Sequence, residues 1–461
     1  MRLSTTAVDW HNTVIISPTV DDDPTAQDWH HVFSVCLSIV GLIWYVFIWS
    51  AGLLGCWTAR KRYRNRPNHQ TATTLSSSVP GVSILRPLKG LDTNLLENLE
   101  SSFRQDYPNF EVLLSVADEH DKALPVVYEL LAKYPNVNAR VIIGALLYIV
   151  PQEGDVVDVG ANPKVNNLIR PYNEAVHDVL WVLDSNVAVA PGTLARAVEI
   201  LSRPSSHPNT PRRRIALVHH VVFAVLTRGS TFGARVEEAF LNTNLAKMYI
   251  AINAAAVDSC VVGKSNLFRR SDLERLDGSL VPRQQQRDNG QQRGLAAFGR
   301  FLAEDNMIGL SLWHELDLRH DLSCDVAHNA LGDMSLSDYV WRRVRWIRVR
   351  KYTSFVATLL EPFTESAMLG VIAAASMQFL TGVTHHLFLP IHFSIWILID
   401  LDVYASLAGH ALPSSKRWEF LVAWVVREML AFPIWLLAIM GDEVEWRGGR
   451  YKVLRNGEVT H

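Results

Sequence analysis

Between His31 and Arg60 the chain reads VFSVCLSIVGLIWYVFIWSAGLLGCWTA, without one charged side chain. The run exceeds the roughly 20 apolar residues that a helix needs to cross a bilayer, so a membrane-spanning helix is expected over residues 32–57. A cleaved signal peptide fits less well, because the run starts far from Met1, follows Asp21, Asp22 and Asp23, and is too long for such a segment. Arg60, Lys61, Arg62, Arg64 and Arg66 come directly after it. The positive-inside rule then puts residues 1–31 outside or in a lumen and the middle of the chain in the cytosol.

Apolar residues crowd the other end as well. From Ser366, SAMLGVIAAASMQFLTGV, LFLPIHFSIWILIDLDVYASLAG and FLVAWVVREMLAFPIWLLAIMG are three candidate membrane segments within residues 353–440. The second holds Asp400 and Asp402 and the third Arg427 and Glu428, most simply read as pairing within the bundle. Three full spans would leave residues 441–461 outside, yet WRGGRYKVLR is basic and belongs in the cytosol. One segment is therefore expected to be re-entrant or interfacial, the charged second one being the candidate. A net charge of -2 over 461 residues gives no basic surface to track a phosphate backbone, so no nucleic-acid partner is expected. Cys36 and Cys56 lie in the first span and Cys260 and Cys324 beyond it, which argues against a disulfide framework.

After a basic and polar linker, residues 58–78, the texture changes. VSILRPLKG, FEVLLSVAD, ARVIIGALLYIV and VLWVLDSN read as strands, and LLENLESSFRQD, ALPVVYELLAKY and VNNLIRPYNEAV as helices. That alternation predicts an α/β domain with a mostly parallel sheet over residues 79–352. Two polar insertions interrupt it, SRPSSHPNTPRRR and PRQQQRDNGQQRG, the second with the composition of a mobile flap.

Ligands in such a sheet sit at the carboxyl ends of the strands. Asp118, in SVADEHD, and Asp184, in VLDSN, hold that position on two strands taken as neighbours. Each alone reads equally as a cap for the following turn. Asp305, in FLAEDNMIGL, is a third acid, also readable as a helix start beside Glu304. RRVRWIRVRK sets Arg342, Arg343 and Arg345 around Trp346 just before the membrane segments, as a basic interfacial helix would. Arginines there can also bind a diphosphate bidentately. Lys164, in ANPKVNNL, is a second phosphate candidate, though equally a solvated lysine. His314, His320, Cys324 and His328 fit no standard zinc spacing, and their stretch reads as a pair of strands.

Taken in order, SILRPLKGLD, FEVLLSVAD, NPKVNNL, WVLDSN, SCVVGKSNL, AEDNMIG and RRVRW resemble the ceramide glucosyltransferases, the fungal branch in particular, over nearly the whole chain. The resemblance implies a GT-A fold and transfer of glucose from UDP-glucose to ceramide at the cytosolic face of Golgi membranes, with the ER as the other location. That family's pattern of three separated aspartates, then Arg or Gln, two residues and Arg-Trp is matched by Asp118, Asp184, Asp305, Arg342, Arg345 and Trp346. Asp184 stands in Asp-Ser-Asn rather than Asp-x-Asp, which leaves a metal fewer carboxylates. Leu245 replaces a histidine common in the family, and Cys260 matches a family cysteine near the site.

By this resemblance Asp184 binds a divalent cation, Mn2+ or Mg2+, that bridges the donor diphosphate. Asp118 receives hydrogen bonds from the uridine end, Lys164 adds charge, and Arg342, Arg345 and Trp346 close over the donor. Inversion at the sugar requires a base, and Asp305 takes the hydroxyl proton of ceramide. The C-terminal segments then admit the lipid chains from the bilayer. The alternatives are a membrane glycosyltransferase with another lipid or polysaccharide acceptor, and a non-catalytic membrane scaffold.

Overall fold

The computed structural model describes residues 24–64, 66, 79–144, 159–203, 213–285, 292–446 and 448–460. Most of the expected outer segment and linker, the end of the third expected strand, and the centres of both insertions, including the expected flap, lie outside the described residues.

The Val-, Ile- and Leu-rich runs form strands β1 (Val82–Leu88), β2 (Phe110–Val116), β3 (Ala139–Ile143), β4 (Val179–Leu183), β5 (Val187–Ala188), β6 (Ile215–Leu226), β7 (Ser265–Arg269) and β8 (Arg319–Leu331). They make one sheet in the order β3-β2-β1-β4-β7-β6-β8-β5. Helices α2 (Leu95–Phe103), α3 (Leu124–Lys133) and α4 (Pro163–Glu174) connect β1 to β4, and these four strands are parallel. Successive residues of β4 point to opposite faces. Trp181 joins the layer that holds Leu99 of α2 and Leu194 of α5 (Thr193–Leu201), whereas Leu180 joins Leu168 of α4 and Phe298.

The mostly parallel sheet expected from the sequence is found in this half alone. β7 is antiparallel to β4 and β6, and β5 to β8, while β6 and β8 are parallel. Alternation of strands and helices does not report direction once the connecting helices leave the sheet. Here α6 (Phe232–Phe240), one π-helical turn (Leu241–Leu245) and α7 (Ala246–Ala255) leave it and pack against membrane helices. The expected pair of strands around His314 to His328 is also corrected: α8 (Arg270–Leu273) and α9 (Glu304–His314) come first, and β8 then runs as a single strand.

The apolar helices are α1 (Pro24–Tyr63), α11 (Phe355–Leu360), α12 (Ser366–Thr381), α13 (His385–Ala408) and α14 (Arg417–Ile439), and the basic helix α10 (Leu336–Arg350) precedes α11 and packs on α14. Stretches of α1, α13 and α14 are long and apolar enough to cross a membrane. The charged segment expected to be re-entrant is instead the unbroken α13, and the bend of 69° falls between α11 and α12. Pairing removes the objection to charge in a span. The Lys247 ammonium lies 2.6 Å from Asp400 Oδ1, both buried, and Trp424 Nε1 donates to Asp400 Oδ2 at 2.8 Å. Asp402 pairs with Arg60 at 2.5 Å. Arg427 of α14 holds Glu428 and, at 3.1 Å, Glu365 at the break before α12.

The basic tail is folded. β9 (Glu443–Trp446), β10 (Gly449–Val453) and β11 (Val459–Thr460) form a small antiparallel sheet. Val459 N donates to Arg300 O at 2.9 Å, Arg300 Nε meets Glu458 at 3.0 Å, and Tyr451 and Val453 pack with Ala161 and Leu302. The tail therefore lies on the same side of the bilayer as the α/β domain, which requires an even number of crossings after α10. α13 and α14 are long and apolar enough to supply two, and the bent α11–α12 pair has the form of a broken span or a re-entrant loop, the second of which fits an even count.

Candidate active site

The antiparallel register of β4 and β7 creates the site. Leu183, the last residue of β4, stands opposite Ser265, the first of β7, and Asp184 N donates to Lys264 O at 3.2 Å. Asp184 and Lys264 thus leave the sheet side by side. Lys264 Nζ lies 2.9 Å from Asp184 Oδ2 and 2.9 Å from Asn186 Oδ1. Lys164, in the first turn of α4, reaches the other oxygen: Nζ is 2.9 Å from Asp184 Oδ1, 2.8 Å from Glu304 Oε1 and 3.3 Å from Gly263 O. Asn162 caps α4 by accepting from Lys164 N at 2.9 Å, and its Nδ2 donates to Glu304 Oε2 at 2.9 Å.

A sheltered acid at a strand end is tolerated only with such partners. Burial alone would raise the Asp184 pKa, but Lys164 and Lys264 outweigh it and hold the carboxyl well below its usual range. Lys164 shows the converse: burial disfavours its charge, yet Asp184, Glu304 and Asp305 together raise its pKa. Lys264 has fewer acids around it, so burial wins and its pKa falls.

Asp305 is in the first turn of α9 and is not its N-cap, which is Ala303. Its carboxylate lies against Gly263, where any Cβ would overlap it, so glycine is required by this approach. Burial, and then the charge of Glu304, push its pKa up to about 7. A carboxylate so tuned is a competent base near neutral pH.

The other expected residues are spread more widely. Asp118 is exposed after β2, accepting from His120 N at 2.7 Å, and β1 stands between β2 and β4, so the two acids do not end neighbouring strands. Arg342 pairs with the buried Glu237 at 2.8 Å, lies over Trp346 at 4.9 Å, and is near enough to Lys264 to disfavour its charge. Arg345 turns to the tail, donating to Glu445 O at 3.4 Å. Cys260 O accepts from Asn253 Nδ2 at 3.2 Å, and burial pushes its thiol up to about 11, the state of an unreactive cysteine. Leu245 ends the π-helical turn and packs on the apolar core beneath it.

Sequence reasoning missed Lys264, Glu304, Asn162 and Arg86. Arg86, buried in β1, donates to Val187 O at 3.1 Å and so braces the turn after Asp184. Lys264 stood in SCVVGKSNL and Glu304 beside Asp305, but only antiparallel pairing of β7 puts that lysine beside Asp184.

Among the described residues, no group of three His, Cys, Asp or Glu side chains could hold a metal ion. Asp184 offers one carboxylate, with both oxygens on lysines. Such a donor set fits a divalent cation delivered on a diphosphate, for which one protein carboxylate is enough, rather than one held by protein ligands alone.

Because the tail pins Arg300, four residues before Glu304, deletion of residues 441–461 is expected to loosen the start of α9. The expected result is a loss of about tenfold or more in turnover, the equivalent of one or two hydrogen bonds, in a protein that still inserts into membranes. Activity equal to that of the full chain would show that α9 needs no such support.

A strand-end carboxylate ringed by cations, with a second carboxylate of raised pKa close by, suits displacement of a phosphate-type leaving group by a hydroxyl. Apolar helices bring that chemistry to a lipid surface, and the class so defined is a membrane-bound group transferase. The family model for glycosyl transferase family 21 matches residues 42–459, and the chain belongs to that family. A ceramide glucosyltransferase of Komagataella phaffii is 34% identical, covering 90% of this chain and 90% of its own. One of Candida albicans is 31% identical over 92% of this chain and 98% of its own. Among solved structures, a mannosyltransferase from Pyrobaculum calidifontis in complex with GDP-Man and Mn2+ aligns with 88% of this chain and 98% of its own at 16% identity, with a TM-score of 0.44.

Proposed function

We propose that this glycosyltransferase moves glucose from UDP-glucose to the primary hydroxyl of ceramide, with inversion, to give glucosylceramide. The observation that carries the reading is Asp305, a carboxylate with a pKa near 7 set against Gly263 beside the Lys164–Asp184 pair. The two fungal ceramide glucosyltransferases, matched along nearly their whole lengths, support the choice of acceptor and donor.

In this reading Lys164, Lys264 and Arg342 face the donor diphosphate and offset the charge that builds on it as the glycosidic bond breaks. Asp184 holds the two lysines and would be the protein ligand of Mn2+ or Mg2+, which supplies further neutralisation of the departing phosphate. Asp305 takes the acceptor proton. Asp118 receives the uridine end, and Arg345 and Trp346 close the donor side from α10. Extracting ceramide from the bilayer would cost about 0.8 kcal/mol for each CH₂ exposed, and in this reading the apolar helices beside the catalytic domain let the lipid chains stay in the bilayer while the headgroup reaches Asp305. The basic residues from Arg60 to Arg66 support a cytosolic catalytic domain, and the family resemblance alone suggests Golgi or ER membranes.

The test is transfer of labelled glucose to short-chain ceramide in membranes expressing the wild type, with UDP-galactose as the control donor. Glucosylceramide formed from UDP-glucose alone is the expected product. Well-folded protein that binds UDP-glucose and labels a different lipid would replace ceramide as the acceptor.

A further inference from the structure

Helix α7 faces two ways. Lys247 points to the membrane helices, where its ammonium meets Asp400 of α13 at 2.6 Å and lies 4.0 Å from the centre of the Trp396 ring. The backbone of α1 comes in against the same residue: a Cβ at Gly55 would overlap the Lys247 carbonyl, so the two helices are held at close approach. Two residues on, about 200° around the helix, Tyr249 points to the sheet.

There it meets the loop that runs from α7 to β7. Val262 N donates to the Tyr249 hydroxyl at 3.0 Å, and Asn253 Nδ2, one turn further along α7, donates to Cys260 O at 3.2 Å. The same hydroxyl bonds His219 Nδ1 of β6; His219 Nε2 lies 3.2 Å from His320 Nδ1, and His320 Nε2 lies 3.0 Å from Ser259 Oγ. Three points of one short loop, at Ser259, Cys260 and Val262, are therefore fixed by a chain of buried polar groups. A core needs no such chain, since phenylalanine and leucine would fill the space without polar groups to satisfy. The next two residues are Gly263, which sets the position of Asp305 and accepts from Lys164, and Lys264, which holds Asp184.

We infer that Tyr249 is a positioning residue for Asp305 and Lys264, and that α7 ties their loop to the packing of α1 and α13 in the membrane. The part concerning turnover rests on the reaction proposed above; the part concerning the loop does not.

Two readouts on the full-length protein in lipid nanodiscs test it. In hydrogen–deuterium exchange, Tyr249→Phe is expected to speed the amides of residues 258–264 by about tenfold, the equivalent of one lost hydrogen bond, with α2 and α3 unchanged. Lys247→Met is expected to speed the same amides, though it touches none of them; Trp424→Phe, which removes one donor to Asp400, replaces it if that variant does not fold. In glucose transfer, kcat of Tyr249→Phe should fall about tenfold or more with the KM for UDP-glucose within about twofold of wild type. Unchanged exchange over 258–264 in Tyr249→Phe overturns the positioning role, as does a loss shared equally between kcat, KM and thermal stability. Exchange insensitive to Lys247→Met or its substitute overturns the tie to the membrane. A wild type that transfers no glucose to ceramide overturns the proposed reaction instead, and the exchange measurement still decides this one.

Discussion

Asp305→Asn is expected to lower kcat by about 10²–10⁴-fold, the usual contribution of a positioned base, while binding of UDP stays within a few-fold of wild type. The side chain keeps its shape and loses only the ability to take a proton. The wild-type pH profile should show the same group. Burial and Glu304 hold its pKa at about 7, and only the ionised form is a base, so kcat/KM should rise with pH through about 7 and flatten above it. Stability should move the other way. A carboxyl whose pKa is higher folded than unfolded binds more protons in the native state between the two values, so its contribution declines as pH rises across that window. Asparagine carries no such charge, and at pH 8 the variant's thermal midpoint in detergent should equal or exceed that of the wild type. A lower midpoint with activity retained would return Asp305 to a helix-start role.

The sequence was most legible where local pattern decides structure. The parallel half of the sheet, the basic helix α10 and the apolar helices follow from periodicity and length, and Asp184 and Asp305 come together near Lys164. Direction and long-range partners were not legible. β7 looks like any short apolar strand, yet its reversed direction is what delivers Lys264 to Asp184. Charge in α13 suggested a segment that does not span, because its partner Lys247 lies some 150 residues earlier, in a stretch assigned to the catalytic domain. The basic tail was read by charge alone, whereas Val444, Tyr451 and Val453 make it a small sheet with a core of its own against Leu302.

Asp184→Asn separates the two ways in which that carboxylate can act. Its oxygens hold Lys164 and Lys264, each at 2.9 Å, and a cation arriving on the diphosphate would take one of those places. Loss of the acid leaves Lys164 with Glu304 but leaves Lys264, whose pKa burial already lowers, with only the Asn186 carbonyl, and its charge should weaken further. Turnover is expected to fall by about 10²–10³-fold, as when one preorganised electrostatic group is removed. The informative measurement is UDP affinity with and without Mn2+. If Asp184 is the protein ligand of the cation, added Mn2+ tightens UDP binding in the wild type and has little effect in the variant. If it serves only to hold the lysines, Mn2+ tightens UDP binding equally in both proteins, and in chelator the variant binds UDP more weakly because Lys264 has lost part of its charge. The donor set favours the first outcome, since a single half-buried carboxylate at a strand end is enough for a cation whose remaining ligands come with the nucleotide. A cycle with Lys264→Met then measures how much of the loss passes through that lysine, because residues sharing one ion pair should give far from additive effects.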